Sequence, residues 1–105
     1  MTIYYVQYHA EPMREAEDWE SCGGAYVNCW VRAGSEEEAQ EVSAIAIAQQ
    51  QWRIVSVEKE CSEVSPEFYS DDEAGRKYYD QALLDGECYA FHKWPAEPQE
   101  GDDVH

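Results

Sequence analysis

The chain has 105 residues, 44% of them hydrophobic, which suits a single domain that buries roughly two-thirds of its extended-chain surface. Twenty-three acidic residues against seven basic ones give a net charge of −16. That balance argues against nucleic acid and anionic membranes as partners, since phosphate binding needs clustered Lys and Arg. It permits high solubility, a basic protein partner, or mimicry of a polyanion.

The first residues, MTIYYVQYHAEP, contain neither a basic leader nor a long apolar run, so a cytoplasmic location is expected. Thr2 to His9 alternates as a strand, with Tyr4, Val6 and Tyr8 on one face and Ile3, Tyr5, Gln7 and His9 on the other. A connection from Ala10 to Gly24 follows. Its middle, EPMREAEDWE, can form a short helix with Pro12 in the first turn, and Trp19 can pack back onto the domain. Cysteines stand at 22, 29, 61 and 88, with no CxxC pair. Zinc and thioredoxin-type spacings are therefore absent, and reduced thiols are expected.

The centre of the chain reads strand, helix, strand. Ala25, Val27, Cys29, Val31 and Ala33 share one face of a strand; Tyr26, Asn28, Trp30 and Arg32 share the other. The small face suits a closely packed helix. Ser35 and Glu38 form a capping box, in which the Ser hydroxyl accepts from the Glu38 amide and the carboxylate returns to the Ser35 amide. Glu36 and Glu37 favour the positive end of the helix dipole. The helix is expected to bury Ala39, Val42, Ile45, Ala46 and Gln49, widened by Ile47 and Ala48. A strand from Arg53 to Lys59 follows, with Val55 and Val57 inward, parallel to its predecessor if the two share a sheet.

Beyond Cys61 periodicity is lost, and Pro66 with its neighbouring acids predicts a loop anchored by Phe68 and Tyr69. Asp71 or Asp72 caps a second helix from Glu73 to Leu84, whose buried stripe is Tyr78, Tyr79, Ala82 and Leu83. Gly86 suits a left-handed C-cap, and Glu87 to Trp94 is the last strand. Residues 1–95 thus form one domain, and 96–105 read as a disordered acidic tail. The order of elements resembles an α+β, ferredoxin-like variant. It implies a four-stranded, mostly antiparallel sheet in the order last–second–first–third, with both helices packed on one face.

That arrangement leaves the other face uncovered, carrying Tyr5, Tyr26 and Trp30 and, from the last strand, Tyr89 and Phe91. Such an aromatic face is rarely left to water. Three uses are open to it: RNA stacking, which the charge opposes; packing of two copies into a homodimer; or cover by the Ala10–Gly24 segment through Trp19.

Chemistry has little to work with. Cys88 and His92 share a strand face about 13 Å apart, too far for a nucleophile and its base. His105 with Asp102 and Asp103 has no fixed geometry for a metal. Glu36, Glu37, Asp71, Asp72 and Glu73 are explained by helix starts, and Glu58, Glu60 and Glu63 by a solvated strand edge. The sequence contains no GxGxxG, GxSxG or HExxH, and nothing in it calls for a cofactor or metal. The expectation is an interaction module that homodimerises through its aromatic sheet face. The alternative is an inhibitor or immunity-type protein that blocks a basic nucleic-acid-binding site by charge mimicry.

Overall fold

A computed structural model describes residues 2–96. The expected tail therefore lies almost wholly outside the described residues, as do Asp102, Asp103 and His105. In chain order the elements are β1 (Thr2–Pro12), β2 (Cys22–Ala33), α1 (Glu36–Gln49), β3 (Trp52–Val64), a 3-10 turn (Pro66–Tyr69), α2 (Glu73–Asp85) and β4 (Glu87–Pro95). The strands form one open, antiparallel sheet in the order β3-β1-β2-β4, which is the order inferred from the sequence. The fold is α+β.

The two helices lie on opposite faces of the sheet, and here the fold departs from the ferredoxin-like layout. α1 covers the face built by Val6, Tyr8, Ala10, Ala25, Val27, Cys29, Val31 and Ala33, burying Ala39 and Ile47 against it. α2 packs with Ile3, Trp30, Val64 and Ala90, burying Tyr79 and Ala82. The cause is side-chain size on β2. Its odd-numbered face is small enough for a helix to run along it. Its even-numbered face carries Trp30, whose large apolar ring needs a cover of its own.

Ser35 Oγ accepts from the Glu38 amide at 3.1 Å, while the Glu38 carboxylate reaches one residue further back, to the Gly34 amide at 2.6 Å. The helix turns a different side to the sheet than its apolar residues suggest, with Ala39, Ser43 and Ile47 inward and Ile45 58% exposed. Ser43 explains the rotation. Its hydroxyl lies 2.9 Å from Tyr8 Oη and donates to the Gln40 carbonyl at 3.0 Å, so Tyr8 donates to Ser43 across the helix–sheet seam. A polar pair made inside the core thereby sets the helix phase.

β3 continues to Val64, through residues expected to be loop, because Val64 pairs with Ile3 and Cys61 is buried. Its register against β1 slips three times, and as an edge strand it leaves Val55 and Val57 exposed rather than inward. Pro12 ends β1 opposite Trp52 and does not start a helix. Residues 13–21 form successive turns, tied by bonds such as Ala16 N–H to the Met13 carbonyl at 2.9 Å. Trp19 stays 45% exposed, with the Arg14 guanidinium over its ring, while Ala16 of the same segment is buried in the core on the α1 side.

Asp72 caps α2 through the Gly75 amide, and Gly86 ends it at φ 93°. The buried stripe is Gly75, Tyr79 and Ala82; Leu83, expected inside, is 41% exposed. The helix crosses only one end of its face, so its contact stripe is narrow.

Ser43→Ala should leave the buried Tyr8 hydroxyl unsatisfied, whereas in Tyr8→Phe the Ser43 hydroxyl keeps its bond to the Gln40 carbonyl. In urea unfolding Ser43→Ala should cost about 1–3 kcal/mol and Tyr8→Phe about 0.5–1.5 kcal/mol. The double variant should lose clearly less than the sum.

Candidate functional site

The five aromatic residues expected on one open face are divided by the structure. Tyr5, Tyr26 and Trp30 lie on the α2 face; Tyr89 and Phe91 lie on the α1 face, packed against the first core. The reason is parity. Tyr26 pairs with His92 and Trp30 with Cys88, so the even-numbered residues of β4 share their side, and Tyr89 and Phe91 point the other way.

Trp30 is 4% exposed. α2 stacks Tyr78 on it at 4.8 Å and 23°, and its indole N–H donates to Tyr69 Oη at 2.8 Å. Gly75 makes room for this arrangement, since a Cβ there would sit 2.5 Å from the Tyr69 ring. Tyr5 is tilted against Trp30 at 5.3 Å and donates to Asn28 Oδ1, which also accepts from Gln7 Nε2 at 2.9 Å. Burial, with Tyr69 and Cys29 nearby, pushes the Tyr5 hydroxyl from 10.0 up to about 12.

Beyond α2 the same face is open. Trp94 and Tyr26 meet at 5.0 Å, and His9 lies 5.4 Å from Trp94 and 6.0 Å from Tyr26. Gly24 permits this trio: a Cβ there would be 2.6 Å from the Trp94 ring. Trp94 thus reaches across β2 from β4 to touch β1. Tyr26 remains 43% exposed. Between this cluster and the wall of α2 runs a groove of about 520 Å³, lined by Tyr5, Gln7, Asn28, Lys59, Tyr78 and His92 among others. Phe68, 68% exposed, stands on its rim.

Sequence reasoning missed Trp94, Asn28 and Gln7 as site residues, and it expected Phe68 to anchor its loop, where the structure leaves it exposed. Trp94 could have been found only from the β2–β4 register, which places it opposite Gly24. His9 and His92 share the face but stay on separate strands, with β2 between them. Acidic residues cluster in the 13–21 turns, at the start of α1, along β3 and before α2. On the open half, Gln7, His9, Asn28, Tyr26, His92 and Trp94 are free of acids up to Glu11, which follows His9 on the same face of β1 and is paired with Arg53.

On the other face, Tyr89 and Phe91 border a groove of about 410 Å³ beside α1, with Ala46, Ile47, Gln49, Gln50 and Glu87. All four cysteines are free, and burial pushes the Cys29 thiol far above its ordinary value. Cys29 is therefore a small core residue and not a nucleophile. Among the described residues no three His, Cys, Asp or Glu side chains gather as metal ligands, and no helix is long and apolar enough to cross a membrane. No known protein family, curated protein or solved structure matches this chain.

Because Trp30 is buried beneath α2, Trp30→Ser should lower stability by about 3–5 kcal/mol by chemical denaturation. A variant as stable as the parent would contradict that packing. Tyr5 holds its proton in the folded state above the 10.0 at which the unfolded chain releases it. Its contribution is therefore complete below that pH and is lost as pH rises toward about 12. Stability measured along an alkaline series should fall in that window, and the fall should be shallower in Tyr5→Phe.

Proposed function

We propose that this protein is a protein-interaction module whose working surface is the α2-free half of the second sheet face. The observation that carries the reading is the aromatic cluster of Tyr26, Trp94 and His9, whose neighbouring carboxylate, Glu11, is paired with Arg53, set beside a groove in a chain of net charge −16. Interface centres are depleted in charge and enriched in Tyr and Trp, with polar or charged surroundings. The partner that suits it presents an apolar or aromatic centre with basic residues around it. The acidic periphery steers encounter, and the cluster holds the complex.

Exposed aromatic and histidine side chains on neighbouring strands give shape and directional contacts at little entropic cost, because the strands are rigid. Asn28 and Gln7 supply amide groups at the floor of the groove. Charge mimicry alone is less well supported. The carboxylates are spread over the turns, the start of α1, the β3 edge and the start of α2, not gathered along one strip.

Selection of random displayed peptides against the full chain tests the reading. Enriched peptides should carry an aromatic residue flanked by Lys or Arg. They should lose about tenfold or more in affinity to Tyr26→Ser, the range of an interface hot spot. Raising salt from ~50 to ~500 mM should slow their association more than it speeds their release. Selected ligands indifferent to both Tyr26 and Trp94 would remove the cluster as the working surface.

A further inference from the structure

Among the described residues β4 is an edge strand with a regular, unpaired outer side. Its ladder with β2 runs unbroken from Glu87 opposite Val31 to Trp94 opposite Gly24. β3, at the other edge, is interrupted three times and carries Glu58, Lys59, Glu60 and Glu63. Breaks and charges of that kind block edge-to-edge pairing. Between Glu87 and Lys93, β4 has no break and no proline, and its acidic and basic ends are set symmetrically about Ala90.

The backbone groups open to a partner can be assigned. Arg32 N–H donates to the Gly86 carbonyl at 2.8 Å, so Arg32 and Gly86 form a bonded pair. Alternation along an antiparallel ladder then makes Trp30–Cys88, Asn28–Ala90 and Tyr26–His92 the next bonded pairs. The N–H and C=O groups of Glu87, Tyr89, Phe91 and Lys93 point away from the sheet.

We propose that a second copy of this chain pairs with that edge, β4 to β4 and antiparallel, about a two-fold axis at Ala90. In this register Glu87 of each copy faces Lys93 of the other, and Tyr89 faces Phe91. All four outward residues then exchange backbone hydrogen bonds. A shift of two residues one way puts Glu87 opposite Pro95, which has no N–H to give. A shift the other way puts Glu87 opposite Phe91 and carries Lys93 past the end of β4 to Asp85, which belongs to α2 and cannot join the ladder. The ends of β4 thus limit the ladder to this register, and the Glu87–Lys93 pairs are complementary in it.

The side chains beside the seam fit this occupant. Glu87, Tyr89 and Phe91 line the groove flanked by Ala46, Ile47, Gln49 and Gln50 of α1, and Glu87 is the one carboxylate in that lining. Two copies would close their grooves over a shared aromatic centre. This surface is independent of the open half-face, which the paired sheet would leave accessible in both copies.

Light scattering on the full chain should give the mass of two chains. Glu87→Lys should weaken the dimer about tenfold, because it sets like charges opposite each other at both ends. It leaves the Lys93–Asp18 ion pair in place but removes the acceptor of the Tyr89 hydroxyl. Tyr89→Phe loses the same bond without a charge change, so it serves as the control and should keep the parental constant. Lys93→Glu should weaken the dimer similarly, and the double variant Glu87→Lys with Lys93→Glu should recover it. Glu87 and Lys93 of one chain are about 20 Å apart along the strand, so recovery reports contact between copies. Tyr26→Ser should change nothing, and circular dichroism checks each fold. A monomeric parent, a folded Glu87→Lys that keeps the parental constant, or a folded double variant that fails to recover would each overturn the proposal. A dimer lost with Tyr26→Ser and indifferent to the β4 variants would be face-to-face association, and would overturn it too.

Discussion

β2 carries small side chains on one face and large ones on the other, and the placement of both helices depends on that inequality. Ala25, Val27, Cys29, Val31 and Ala33 are all within a percent of full burial. They give α1 a shallow bed along which to run, next to Tyr8 and its hydroxyl partner Ser43. Across the strand, Trp30 is too large to lie flat in water and too tall for a second helix to run lengthwise over it. α2 therefore crosses one end of that face and stacks Tyr78 on the indole. What α2 does not reach stays open, and the candidate site is what remains.

Much of this architecture was legible. Alternation located the strands, Ser35 marked the first helix start and Asp71 or Asp72 the second, and Gly86 marked a helix end. The strand order followed from chain connectivity. The faces were harder. Assigning α2 to the α1 side treated Trp30 as exposed, because strand alternation shows which residues share a face but not what covers it. The α1 phase failed for a related reason. Its apolar residues lie around most of the helix, so a serine could take the inward position by making a hydrogen bond that periodicity does not register.

The site was half legible. Tyr26 was named, but its neighbours came from a register that one chain's pattern does not reveal. Tyr89 and Phe91 were placed on the wrong face because the parity of β4 relative to β2 depends on where the ladder begins. Once Arg32 and Gly86 are known to bond, every residue of β4 has its side. A single hydrogen bond therefore separates the two aromatic groups and divides the surface into a face that is open and an edge that is unpaired.

β1 and β4 run in the same direction, each bound to β2 between them. The described chain thus enters the sheet at one end of its long axis and leaves it at the other. A load applied through those two ends would pull β1 and β4 lengthwise in opposite senses past β2. Hydrogen bonds perpendicular to the strands would then share the force together instead of breaking in sequence. The topology that exposes β4 sideways to another strand thus makes it hard to draw out lengthwise. A tethered form of this protein would resist tension as a clasp in shear.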